Sequence, residues 1–186
     1  MLLRTAFVAL TLSTAAFAQE ELAAVDKPAP TFRLPVYNGA AIGEPNAPMI
    51  GIDRYVGQDP TDKKTKLLVV SFMASFCGPC KKEMPYLQSL HEKYKDQGLR
   101  VLMVAIDREE DGQKKVAELV ATNKVTFPVL KDRFNIVARR WLGNQSPLPS
   151  LFMVRPDGTV KIVHRGYSDD ASTILEKEVS AALAGK

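Results

Sequence analysis

Cysteine and histidine are scarce in this 186-residue chain, with two of each. Both cysteines fall in one tetrapeptide, Cys77-Gly78-Pro79-Cys80, while His91 and His164 stand far apart in sequence. A Cys-x-x-Cys pair can form half of a zinc site, but the chain lacks the ligands for the other half, so no metal is expected. The apolar run from Thr5 to Ala15 is too short to cross a bilayer comfortably. No cysteine lies near Ala16-Phe17-Ala18, which removes a lipid anchor on an N-terminal cysteine. There is no internal repeat and no block of like charge. The net charge of +4 is spread along the chain, and its densest basic cluster, Lys63, Lys64 and Lys66, lies beside Asp59 and Asp62. That pattern is a solvated loop, so no nucleic-acid partner is expected, and no cofactor either.

What is present begins with an export pattern. Met1 to Arg4 is weakly basic, the apolar run follows, and Ala16-Phe17-Ala18 has the small-x-small form of a cleavage site. The expectation is a signal peptide over 1–18, cleaved after Ala18, with the mature protein periplasmic and not inserted in the membrane. An uncleaved anchor is the alternative. An exported protein of this length builds a full core without a staple, so the close cysteine pair reads as a working dithiol.

Residues 19–30 are polar and proline-bearing and read as a flexible leader, with a single domain over 31–186. Thr31 to Tyr37 alternates like an edge strand. From Asn38 to Lys66 the chain is rich in turn-formers, with one apolar island at Met49 to Tyr55. Leu67 to Met73 is a nearly continuous apolar run, the mark of a strand buried on both faces. Pro79 suits the first turn of a helix on which Met84, Leu87, Leu90 and Tyr94 recur at helical spacing, ending at Gly98. Leu99 to Ile106 reads as a second buried strand, 112–123 as a helix, and 132–142 as a helix capped by Asp132 and stopped by Gly143. Phe134, Ile136, Val137 and Trp141 are expected in the core. Strands at 150–154 and 159–163 flank an Asp157-Gly158 turn. A closing helix over 170–184 is expected to turn Ile174, Leu175, Val179 and Leu183 inward. This order predicts an α/β domain with a central mixed sheet flanked by helices and an N-terminal strand/loop extension.

The first cysteine of the motif sits nearest the loop and gains most from the free N–H groups of the helix N-terminus, so Cys77 is the expected nucleophile. Cys80, one turn in, is the expected resolving thiol. Lys81 and Lys82, like the two histidines, read as surface residues.

Two segments, Val69 to Pro85 around the cysteines and Pro149 to Gly158, resemble the thioredoxin superfamily, and more closely its exported TlpA/ResA-like branch, related to AhpC/TSA proteins. The resemblance covers roughly residues 28–184 and implies a thioredoxin fold and thiol–disulfide oxidoreductase activity. It implies a cis peptide before Pro149, which would face Cys77. Leu148, Pro149, Gly78, Pro79 and Phe76 then become candidate substrate-binding residues. Phe76 stands where many thioredoxins carry Trp. Ser71 stands where cytosolic thioredoxins bury an Asp, so another proton acceptor must serve. Glu83, three positions after Cys80, resembles the acidic residue of ResA-like proteins and is the candidate for that role. The Gly-Pro dipeptide matches thioredoxin's own and implies a reductase of disulfide-bearing exported proteins, recharged by a membrane electron donor, with cytochrome c maturation the commonest role in this branch. Two alternatives stand beside it. One is a thiol peroxidase of peroxiredoxin type, suggested by Phe127-Pro128-Val129-Leu130-Lys131-Asp132; Ala74 weighs against it, since peroxiredoxins have Thr or Ser there. The other is a non-catalytic binding or holdase module using segment 38–66.

Overall fold

The strand β3, Leu67–Met73, is buried at all seven positions and lies at the centre of the sheet. A computed structural model describes residues 22–145, 147–168 and 170–185 of the chain, so the expected signal peptide lies outside the described residues. The five-stranded sheet has the order β5-β4-β3-β6-β7, with β4 Leu99–Ala105, β5 Val129–Lys131, β6 Ser150–Val154 and β7 Val160–Arg165. β3 pairs parallel with β4 and antiparallel with β6, so the sheet is mixed, as the α/β reading required. The helices are α1 Gly78–Tyr94, α2 Glu110–Thr122, α3 Ile136–Leu142 and α4 Ala171–Leu183. A small antiparallel pair, β1 Arg33–Leu34 with β2 Ile50–Gly51, forms the N-terminal extension. The expected edge strand over 31–37 is thus shorter, although Val36 bridges Leu130 and Tyr37 donates its N–H to the Val129 carbonyl at 2.8 Å.

Alternation along β3 divides the core into two faces. On one face Phe72 meets Trp141 of α3 and Phe152 of β6, with ring centroids 5.7 and 5.9 Å away. On the other, Ser71 faces α1. Several expectations shift here. β5 was not expected at all, because Pro128 interrupts a run only three residues long. Helix α3 starts four residues later than Asp132. The Asp132 carboxylate still organises its start, accepting from the N–H groups of Ile136 at 3.0 Å and Ala138 at 2.7 Å. The intervening turn, with Asn135 at φ 55°, leaves Phe134 and Ile136 outside the core at 64% and 54% exposure, while Val137 and Trp141 are buried. Ile174 is likewise exposed, whereas Leu175 and Val179 are buried.

Residues 22–30, expected as leader, lie along the β6–β7 hairpin. Asp26 donates its N–H to Val160 and Ala29 its N–H to Gly158, and Val160 donates back to Lys27. Residues 57–66 are held at the other end of β3 from Cys77. Gly57 donates its N–H to the Pro156 carbonyl at 2.9 Å, Asp62 pairs with Arg100, and Ile52, Tyr55 and Val56 are buried. Asn38 joins segment 38–66 to β5. Its amide donates to the carbonyls of Val125 at 3.1 Å and Phe127 at 2.8 Å, and its oxygen accepts from the Val129 N–H at 3.0 Å. Replacing a buried group that satisfies three backbone partners leaves all three unmatched. Asn38→Ala is therefore expected to lose about 2–4 kcal/mol of stability, read as a lower urea midpoint with an unchanged m-value.

Candidate active site

The buried strand ends at Met73, and three residues carry the chain to the first cysteine at the mouth of α1. Cys77 occupies the N-cap position, and Pro79 lies in the first turn where its missing N–H is no loss. Cys77 and Cys80 are joined in a disulfide with Cα atoms 5.3 Å apart. The Cys80 N–H also points at the Cys77 sulfur at 3.2 Å, so one of the free donors of the helix N-terminus is aimed at it. Cys77 is 8% exposed and Cys80 fully buried, an asymmetry that makes Cys77 the sulfur a partner reaches first. Phe76, Gly78 and Pro79 beside it are exposed, Phe76 at 76%.

The loop that carries Cys77 is anchored from the neighbouring strand. Asp107, buried just beyond β4, accepts from the Ser75 N–H with both carboxylate oxygens, at 3.2 and 3.0 Å, and from the Ser75 hydroxyl at 2.5 Å. Gly112 at the start of α2 leaves room for this carboxylate: a Cβ there would sit 2.6 Å from Oδ1. Sequence reasoning did not single out Asp107, since one aspartate after a strand reads as an ordinary turn residue.

Glu83 lies one turn beyond Cys80 on the same side of α1. The Ser71 hydroxyl donates to its Oε2 at 2.8 Å. Ser71 and Glu83, singled out separately in the sequence, are therefore partners, and the carboxyl stands over the strand position where a buried Asp was missing. Burial pushes Glu83 up from its ordinary 4.5 to about 7, and the Ser71 hydrogen bond pulls the other way. A group that exchanges its proton near neutrality one turn from Cys80 is suited to serve that thiol.

The Leu148–Pro149 peptide is cis, as the resemblance implied. Phe72 pairs with Ser150, so Pro149 adjoins the end of β3 from which the cysteine loop departs. Pro149 is buried, Leu148 is half-buried, and Glu83 and Pro149 both line a cavity of about 300 Å³. Lys81 is exposed; Lys82 stacks over the Tyr167 ring at 5.9 Å. The histidines are not the surface residues expected. His91 is half-buried against Phe127, where burial lowers its pKa, and half-buried His164 lines the cavity with Glu83.

Residues 25–163 match the AhpC/TSA family. The chain belongs to that family. Within the thioredoxin superfamily it is ResA/TlpA-like. It is 31% identical over 106 residues to the thiol-disulfide oxidoreductase ResA of Oceanobacillus iheyensis, a match that takes in 57% of this chain and 53% of that protein. The chain thus spans about half the length of that relative. Against ResA of Bacillus subtilis the identity is 30% over 156 residues, covering 82% of this chain and 74% of the relative. The fold is that of a Chlorobium tepidum protein assigned as a thiol:disulfide interchange protein DsbE, with TM-score 0.69, 24% identity, and coverage of 87% of this chain and 99% of that one. Among the described residues no helix is long and apolar enough to cross a membrane.

Two outcomes follow from the Glu83 environment. The folded carboxyl keeps its proton to about pH 7 and an unfolded one releases it near 4.5, so stability falls as pH rises between those values. Glu83→Gln removes this penalty. In urea unfolding of the oxidised protein, the variant should gain on the order of 1–3 kcal/mol at pH 8 and nothing at pH 4. Ser71→Ala removes the one interaction that holds the pKa down, so the Glu83 titration followed by carboxyl ¹³C NMR should move to higher pH.

Proposed function

We propose that this chain is a periplasmic thiol–disulfide oxidoreductase that reduces disulfides of exported proteins through a Cys77–Cys80 dithiol/disulfide cycle. The observation that carries the reading is the asymmetric pair itself: a near-surface Cys77 sulfur at a helix N-terminus, joined to a buried Cys80 one turn from a carboxyl with a pKa of about 7. In the dithiol form the Cys77 thiolate attacks one sulfur of the client disulfide and expels the other as a thiolate. Glu83 takes the proton of Cys80, and the Cys80 thiolate attacks the Cys77 sulfur. The enzyme disulfide forms and the client leaves with both sulfurs reduced. Two electrons have then passed from protein to client, and a membrane electron donor restores the dithiol.

The client contacts proposed are Phe76, Gly78 and Pro79 on one side of Cys77, and Leu148 with Pro149 on the other, where an extended segment can pair with backbone. The family resemblance supports apocytochromes c as a client class. The AhpC/TSA family name keeps a peroxidase in view, but Ala74, three residues before Cys77, has no hydroxyl with which to orient a peroxide. The anchoring of residues 57–66 at the far end of β3, and of Asn38 on β5, supports a structural role for segment 38–66 rather than client recognition.

Cys77→Ser should abolish disulfide reduction, and Cys80→Ser should accumulate a mixed disulfide at Cys77, visible as a mass shift on incubation with an exported disulfide protein or an oxidised apocytochrome peptide. Equilibration with glutathione or dithiothreitol buffers should give a midpoint nearer thioredoxin's value of about −270 mV than the strong oxidant's value of about −120 mV. A midpoint near the latter would make the protein an oxidase of thiols, and rapid peroxide turnover by Cys77 would make it a peroxidase.

A further inference from the structure

The cavity that Glu83 lines also takes in the imidazole of a histidine. It lies between α1, the β6–β7 hairpin and α4, and Leu151, Met153 and Ile162 supply apolar lining. His164 of β7 joins them, and strand register dictates its place. Ser71 of β3 pairs with Leu151 of β6, and Leu151 pairs with His164 of β7. Directly paired residues point to the same face, so Ser71, Leu151 and His164 form one row under α1. Two strand spacings put the His164 backbone roughly 10 Å from that of Ser71, whose hydroxyl holds Glu83.

His164 Nε2 and Ser168 Oγ both belong to cavity residues, and both are buried without a hydrogen-bond partner in the protein. Leaving such groups unmatched is costly, and a cavity of about 300 Å³ has room for the water that would satisfy them. The other ionisable side chains on the cavity are Lys82 and Tyr86 of α1, Tyr167 of the segment after β7, and Glu178 of α4. Lys82 is drawn over the Tyr167 ring. Tyr86 donates its hydroxyl to the Ser172 carbonyl, and burial holds its pKa at about 12. An imidazole is the side chain that accepts and releases protons readily near neutral pH.

We propose that His164 is a positioning residue for the proton on Glu83, receiving it across the water-holding cavity and passing it to solvent, so that the carboxylate is restored for the next turnover. The inference rests on the reading that Glu83 takes the Cys80 proton. In each cycle the proton leaves the Cys80 thiol for Glu83, crosses to the imidazole and exits to bulk water, while the departing client thiolate is protonated from solvent. No electrons move in this step.

The test is steady-state disulfide reduction, with reductant in excess, between pH 6 and 8. His164→Ala should slow turnover about tenfold without changing the mixed-disulfide yield of a Cys80→Ser background. Added imidazole should restore the rate in proportion to its concentration, while leaving wild type and Glu83→Gln unchanged. Glu178→Gln should behave as wild type. If His164→Ala does not fold, His164→Gln carries the same rescue experiment. A His164 variant with wild-type turnover, or one slowed but indifferent to imidazole, overturns the proposal. So does a Glu178→Gln variant that alone shows the loss and rescue. Wild-type turnover by Glu83→Gln would instead remove the Glu83 reading on which it rests.

Discussion

Everything in this domain depends on the complete burial of β3. A strand with neighbours on both edges and helices on both faces gives water no access to its side chains. Six of its seven residues are apolar and meet that condition by packing. Ser71 cannot, and its hydroxyl needs an internal partner. That partner is Glu83, so the same requirement that satisfies a serine in the core also holds a carboxyl near Cys80 in a desolvated position. The unusual proton affinity of Glu83 is therefore a consequence of how the central strand is covered.

The remaining parts of the site come from the edge where strands end and loops begin. Parallel pairing of β3 with β4 brings the loops after both strands together, and Asp107 ties the two through Ser75. Antiparallel pairing of β3 with β6 brings the start of β6, with its cis proline, to the same edge. A mixed sheet is thus what allows a loop leaving one strand and a loop entering another to flank one disulfide. Parallel neighbours alone would send the Pro149 segment to the opposite end.

The strongest local signals were legible in the sequence. The apolar run of β3, the proline-started helix after the cysteines, and the Asp-Gly turn each arise from constraints within a few residues. What escaped depends on register or on contacts between distant elements. β5 is too short and too close to Pro128 to show a period. Phe134 and Ile136 read as core because they are apolar and stand beside Val137 and Trp141 in the sequence. Phe134 precedes the helix, which begins only at Ile136 after the bend at Asn135, and Ile136 lies off the face that Val137, Ala138, Trp141 and Leu142 bury. His164 looked like a surface residue because an alternating strand does not announce which of its faces is covered. The pairing of Ser71 with Glu83 needed the packing of α1 on β3, which no spacing along the chain encodes.

The two faces of β3 also divide labour. Phe72, Phe152 and Trp141 form an aromatic cluster on one side, while Ser71, Glu83 and His164 lie on the other. The sheet lies between them. Substitutions on opposite sides of it share few partners, and effects at such separated sites are close to additive. A lineage can therefore vary the polar side, adjusting how the sulfurs are served, while the aromatic side keeps the fold within its narrow margin of stability. The evolvability of the site is, in this sense, a property of the strand beneath it.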